Sequence, residues 1–406
     1  MNIWIISKYA SSRINGFESR LFSLGNVFVK RGYSCSIISS DSNHFGIYPK
    51  YKNVYNFYSC DQINVLRIRT FKYLSTASVR RIISWLDFEV KLYFAPLNKL
   101  LKPDVIIVSS LSLITILNGI RLKKIYGAKL IFEIRDIWPL TLIKEGGWSK
   151  NNLFVMLLRR IELIGYKNSD LIVGTMPNLA GHVYQGSRQI NTRCVCIPFG
   201  FDLNFFSVET SQSIHNKKFY NIPGDKFIIG YAGSFGLTNG LDSLIDCIIQ
   251  MESDNRFFFL LLGEGANKLK YQERTRLSGN VLFLPKCDRR EVASFLELCD
   301  LLYFSALKSE VWEYGWSPNK LIDYMMAGKP ILASYSGYKS MINEANSGFF
   351  VEAENPIEIE RALNRIIGLP KSKLIEMGAN GKNWLIKNRK WEVVGDRYIE
   401  MLRSLF

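Results

Sequence analysis

The chain has only three histidines and twelve prolines in 406 residues, and several motifs that announce common chemistries are missing. No GxGxxG follows the first apolar run; SKYASSRINGFESR (7–20) stands there instead, which weakens a nicotinamide or flavin reading. No GxxxxGK[ST] occurs, so a P-loop is out. HExxH is absent, and His44, His182 and His215 are far apart. Seven cysteines are odd in number and scattered; Cys194-Val-Cys196 has no second pair with zinc spacing, so they read as idle thiols in a reducing compartment. No apolar run is long enough to span a bilayer. The opening MNIWIISKYA carries no charged leader and reads as a first strand.

What is present is an α/β rhythm in a chain too long for one core. Apolar runs at 2–7, 34–39, 63–69, 104–109, 129–134, 170–174 and 193–197 suit parallel strands buried on both faces. The rhythm resumes at 226–232, 257–262, 281–284, 301–304, 330–334 and 348–351. Helical patterns lie near 17–31, 79–101, 112–126 and 151–168. The polar stretch 207–225 reads as a linker. The sequence thus predicts two doubly wound, Rossmann-like α/β domains facing a cleft, 1–206 and 226–390, with 391–406 packing back on the first.

Charge is unevenly placed. Residues 1–205 hold 27 Lys/Arg against 12 Asp/Glu, and residues 206–406 hold 25 against 24. Basic residues between 67 and 102, among them Arg67, Arg80 and Arg81, alternate with Trp85, Phe88, Tyr93 and Phe94. That mixture suits an anionic membrane surface. The segment 151–167 reads more as a buried helix than as part of that interface.

Anion-binding candidates converge on turns after strands. WSPNKLIDYMMAGKP (316–330) sets Ser317 as a possible cap, Pro318 in a first turn and Lys320 beside a helix N-terminus. YAGSFGLTNGLDSL (231–244) offers Gly233, Ser234 and Asn239; LLGEG (261–265) offers Glu264; INGFESR (14–20) offers Gly16. In FEIRDIWP (132–139), Glu133, Arg135 and Asp136 crowd a strand end, where burial and mutual charge shift pKa values.

In order, IPFGFDLNFF (197–206), GYAGSFGLTNGL (230–241), LLGEG, NVLFLP (280–285), SPNKLIDYMMAGKPIL (317–332) and NSGFFVEAENP (346–356) resemble glycosyltransferase family 4. With FEIRDIWP, the branch resembled is that of bacterial O-antigen and capsule transferases of the L-fucosamine type. The resemblance implies the GT-B fold and retaining, metal-independent, cofactor-free transfer, probed at the sequence level by the absence of Asp-x-Asp. It implies a UDP-sugar donor, such as an N-acetylated deoxyhexosamine, and a polyprenyl-diphosphate-linked acceptor on the cytoplasmic membrane face. Donor-site positions carried over are Gly16, Gly233, Ser234, Asn239, Glu264, Ser317, Asn319, Lys320, Leu321 and Asp323, the last for ribose hydroxyls. Glu133, Arg135 and Asp136 fall on the acceptor side, and Arg135, Asp136 and Lys320 are the catalytic candidates. The chain departs from the family in two places. Gly315 stands at the first of its paired acidic positions, with Glu310 and Glu313 off register. Ser234 and Asn239 stand where the family has Arg and Lys. A nucleotide-sugar epimerase or hydrolase of the same fold is the alternative. A nucleic-acid-binding reading would need a recognition module that the sequence lacks.

Overall fold

The computed structural model describes residues 1–16, 19–43, 47–73, 79–185, 190–207, 220 and 222–406. His44, His215 and most of the expected linker, residues 208–219 and 221, lie outside them. The chain forms two compact units, 1–200 with 391–406, and 201–390.

The first unit is built on an eight-stranded sheet: β1 (Asn2–Ile6), β2 (Ser34–Ser40), β3 (Tyr55–Cys60), β4 (Ile63–Ile68), β5 (Val105–Ser109), β6 (Lys129–Ile134), β7 (Leu171–Gly174) and β8 (Cys194–Cys196). Their order is β3-β4-β2-β1-β5-β6-β7-β8. VIIVS in β5 is buried at every position, which a parallel strand covered by helices on both faces requires. The sequence reading missed β3, an antiparallel edge strand joined to β4 by Asp61 and Gln62, both at positive φ. YNFYSC is half-buried and polar, so it has no continuous apolar run to betray it.

Helices Val79–Tyr93, Thr115–Tyr126 and Leu153–Asn168 pack in succession side by side, and Arg20–Lys30 packs with Trp391–Arg403. The last helix buries Val394, Tyr398, Ile399 and Leu402 in the core of the first unit. Phe28 meets the Tyr398 ring edge-on at 5.6 Å.

The second unit has a wholly parallel sheet: β9 (Phe227–Ala232), β10 (Phe257–Leu262), β11 (Val281–Leu284), β12 (Leu301–Ser305), β13 (Ile331–Ser334) and β14 (Gly348–Val351). Their order is β11-β10-β9-β12-β13-β14. Strand order therefore reverses between β1 and β5 in one unit and between β9 and β12 in the other. In open α/β sheets, ligands bind outside the carboxyl ends of strands at such switch points. The units divide at Gly200/Phe201 rather than at 206: Phe201 N–H donates to Arg389 O at 2.9 Å, and the 203–207 helix belongs to the second unit. Among the described residues, no helix is long and apolar enough to cross a membrane.

Candidate active site

At the β9/β12 switch point stands the ammonium of Lys320. Its helix, Asn319–Met326, is pinned to the end of β9 by Tyr324, whose hydroxyl accepts from Ala232 N–H at 2.8 Å and donates to Ala232 O at 3.1 Å. Lys320 Nζ donates to Asn239 Oδ1 at 2.5 Å and reaches Tyr231 Oη at 3.4 Å. It lies over the rings of Tyr231, at 5.0 Å, and Phe304, at 5.7 Å. These partners are all neutral. Burial alone pulls the ammonium down from its ordinary value to about 7. Asn239 is held in turn: its Nδ2 donates to Ser234 O and Oγ, and its carbonyl accepts from Ser305 Oγ at 2.6 Å.

The helix starts one residue later than the sequence suggests. Pro318, not Ser317, is the cap residue, and no side chain caps this N-terminus. Ser317 Oγ is shielded from solvent without a hydrogen-bond partner. Asn319 is exposed. Leu321 is a correction: its side chain is buried in the core, and its amide already donates to Pro318 O at 3.2 Å.

The glycine turns have a structural demand of their own. Gly263 sits at φ +145, and a Cβ there would strike the carbonyl of Gly233. The turns 233–236 and 263–265 thus support each other: Gly233 N–H donates to Leu262 O and Phe235 N–H to Glu264 O. Glu264 is exposed and held below its usual range, chiefly by the hydrogen bond from Lys268 at 2.7 Å. Asp323 is mostly buried and pushed up by desolvation, against the pull of Arg289, whose guanidinium bonds it at 3.2 Å. Gly315 lies at φ 91, a backbone state that a glutamate adopts only under strain. The chain path itself accounts for the missing carboxylate.

In the first unit, three adjacent candidates part company. Glu133 is wholly buried and pairs with Arg20 at 3.2 Å. Arg20 also donates to Pro198 O and Ile197 O. Glu133 is therefore an internal strut, not a ligand group: every position of β6 after Lys129 is buried, and one of its carboxylate oxygens is taken up by Arg20. Arg135 lies over the Phe199 ring at 4.7 Å, with its Nε buried and unpartnered. Asp136 keeps an edge open to solvent, yet the groups crowded around it push its carboxyl up by desolvation, against the pull of Arg135 and Arg81. Gly16, at φ +82, is exposed, with open space where a Cβ would stand.

The structure also moves residues first assigned to a membrane. Arg67 is fully buried, donating to Ala10 O, Ser39 Oγ and Ser40 O. Phe88 and Trp85 are core. Trp85 Nε1 donates to Tyr9 Oη at 2.6 Å, Arg81 Nε donates to the same oxygen at 3.2 Å, and Arg81 stacks on Trp85. Sequence reasoning missed Arg81 as a neighbour of Asp136, and Arg289 beside Asp323, since nothing in the linear order links them.

Residues 212–384 match a family model described as "Glycosyl transferases group 1". Over 255 residues, 61% of this chain, the sequence is 22% identical to "Probable glycosyltransferase WbjE" of Pseudomonas aeruginosa. That match spans 62% of WbjE, under two thirds of its length. Sucrose-phosphate synthase from Thermosynechococcus elongatus superposes with a TM-score of 0.70 at 16% identity, over 100% of this chain and 99% of that one. Anabaena HepE in complex with UDP gives 0.67 at 14%, over 100% of both. At these identities the likeness to solved structures is one of fold. Residues 212–384 thus match the glycosyl transferases group 1 model, and the chain has the GT-B fold of these solved structures.

Proposed function

We propose that the protein transfers a sugar from a nucleoside-diphosphate donor, UDP-linked, to a polyprenyl-diphosphate-linked acceptor at an anionic membrane surface, with retention and without a metal ion. The observation that carries this reading is Lys320. Its ammonium stands at a helix N-terminus, half-buried, with only neutral partners and no carboxylate among those that shift it. A bound diphosphate would supply the missing counter-charge, and the open amides and dipole of the helix add to it. UDP in the HepE structure is in keeping with such a donor.

The acceptor hydroxyl attacks the anomeric carbon from the face on which the diphosphate leaves. A C–O bond forms as the bond to the β-phosphate oxygen breaks, and the hydroxyl proton passes to that phosphate. Lys320 stabilises the charge that develops there, the largest lever available to a site without a cation. Asp323 holds the ribose hydroxyls. Asp136 orients the acceptor hydroxyl, and Arg135 meets the acceptor diphosphate. The sugar proposed is an N-acetylated deoxyhexosamine, and the setting is synthesis of an O-antigen or capsule at the cytoplasmic membrane face.

Product analysis tests this directly. A panel of UDP-sugars is incubated with a lipid-diphosphate-linked acceptor in excess EDTA, and the anomeric configuration is read by NMR. An α-donor should give an α-linked product, at a rate EDTA leaves unchanged. Inversion would overturn the stereochemistry, and restoration by magnesium after loss in EDTA would overturn metal independence. Turnover of donor that is indifferent to acceptor would point to an epimerase or hydrolase.

A further inference from the structure

The helix Val79–Tyr93 has two apolar faces. Trp85, Phe88 and Leu92 point inward at i, i+3, i+7 spacing and are buried. Leu86, Val90 and Tyr93, with Ile83 and the following Phe94, form a second stripe that is half or more exposed in most places, Phe94 at 72%. A helix packed on one side of a sheet gains nothing from a second apolar stripe unless something covers it.

The two helices packed beside it extend the same surface. On Thr115–Tyr126, Leu117 and Ile125 are exposed; on Leu153–Asn168, Leu153, Met156 and Leu157 are, Leu153 at 83%. The sequence reading of 151–167 as a buried helix thus holds for one side only. Arg121 bridges the first two helices, its guanidinium 3.9 Å from the Tyr93 ring centre. In the second unit, exposed apolar side chains are dispersed: Leu237, Leu269, Leu277, Ile357 and Ile375 sit on separate elements.

Charge around the stripe has one sign. Lys124, Arg159 and Arg160 are exposed on these helices. Glu89 and Glu162 are buried, and the one remaining carboxylate, Asp87, is closed by Lys91 at 2.8 Å and by the Phe71 N–H. A second copy seated face to face would press cation against cation. An anionic bilayer offers both an apolar interior for the stripe and counter-charge for its rim.

We propose that the outer face of helices Val79–Tyr93, Thr115–Tyr126 and Leu153–Asn168 is a docking surface for an anionic lipid bilayer. This rests on the membrane-bound acceptor proposed above, and it replaces the stretch 67–102 by a face of three helices. It gives the first helix two jobs on opposite sides, since Arg81 and Trp85 reach Tyr9 from its inner face. Docking by the outer stripe would hold Arg81, across the helix, within about 10 Å of the lipid surface, where a lipid-linked diphosphate is presented.

The test is sedimentation of the full chain with vesicles of phosphatidylcholine, alone or with phosphatidylglycerol. Binding should favour the anionic vesicles and weaken, without vanishing, as salt rises. Leu86→Glu with Val90→Glu should lower it by about tenfold or more, because it removes apolar insertion and adds repulsion. Arg159→Glu with Arg160→Glu, on a different helix, should also lower it, and Ile375→Glu in the second unit should not. Thermal melting and UDP binding, unchanged in each variant, show that the fold survives. Wild-type-like binding by a folded Leu86→Glu/Val90→Glu protein overturns the proposal; so does no binding by the wild type, or a stripe whose loss only splits a dimer in size exclusion. Transfer to a water-soluble, short-chain acceptor separates this failure from that of the enzyme reading. Normal transfer there with no stripe-dependent binding condemns the face alone. Stripe-dependent binding with no transfer to any acceptor condemns the reaction and leaves the face standing.

Discussion

Two buried lysines, one in each unit, are both pulled down to about 7, and they teach opposite lessons. Lys8 is wholly buried in the first unit, its ammonium donating to Ser42 O at 2.7 Å. Burial lowers it, helped by the charges of Lys72 and Arg81, while Asp41 and Glu89 pull the other way. Its charge has counter-charge inside the protein. Lys320 is less buried, yet nothing acidic opposes the desolvation. A cation answered from within reads as scaffold; one held among neutral groups is the candidate for meeting a ligand's charge, as proposed for Lys320. Arg20 and Glu133 in the first unit extend the first pattern.

The largest effect should come from breaking that internal pairing. Glu133→Ala leaves the Arg20 guanidinium buried beside only carbonyl partners, a change that costs about 3–5 kcal/mol. Urea unfolding should show the loss, and native stability in this variant would remove Glu133 from the scaffold. Replacing both partners by apolar residues of similar size should restore most of it, since the pair's desolvation cost disappears together with its attraction.

Lys320→Ala should behave in the reverse way. Removing an uncompensated ammonium leaves stability equal or higher, while transfer falls by about two orders of magnitude, close to 2.7 kcal/mol of transition-state stabilisation. Steady-state kinetics beside a melting curve decide it. Full turnover by a well-folded Lys320→Ala protein would place the diphosphate elsewhere.

A third contrast is in pH. For Lys320 the folded value lies below the unfolded one, so between about 7 and 10.5 the unfolded chain binds more protons. This group's penalty on folding is therefore complete below pH 7 and is relieved as pH rises to 10.5. Ligand binding runs the opposite way. A diphosphate favours the protonated form, so UDP affinity should fall as pH climbs above 7. Lys320→Arg, always charged, should flatten that limb. Lys8 contributes a stability slope of the same sign over the same window, so Lys8→Met should reduce the stability slope without touching the UDP profile. Calorimetric titration at several pH values reads both.

The fold was legible because parallel strands buried on both faces are written as continuous apolar runs: FFFLLL could be little else. The edge strand Tyr55–Cys60 was not, because an edge needs neither alternation nor a long apolar run. Lys320 was legible from SPNKL, a local signal that sits on one helix start. Asn239 was too, yet as a group facing a ligand, whereas it holds Lys320. Glu133 misled because three charges in FEIRD look alike in a line, and its partner, Arg20, lies 113 residues away in sequence. The basic-aromatic stretch misled too: helical period sorts Trp85 and Phe88 from Leu86 and Val90, while composition does not.

The smallest effect concerns Asp323, which, like Glu264, already has a charged partner. Its carboxyl is raised by burial and held partly down by Arg289. The Arg289 side chain is 54% exposed, so solvent screens the pair, and an interaction of this kind is worth about 0.2–1 kcal/mol. Removing it by Arg289→Ala acts on UDP in two directions. The carboxylate loses a competitor for the ribose hydroxyls, which favours binding. It also becomes harder to ionise, and only the ionised form accepts from both hydroxyls. Above the titration the first effect rules, and affinity at pH 7 should change by no more than about fivefold. In acid the second rules: the pH at which UDP affinity collapses should move upward in Arg289→Ala. Asp323→Asn should abolish that limb in both backgrounds, because the amide does not titrate. A low-pH limb that stays fixed in Arg289→Ala would separate Asp323 from the ribose. The second unit would then hold its donor through Lys320 and the open helix start alone.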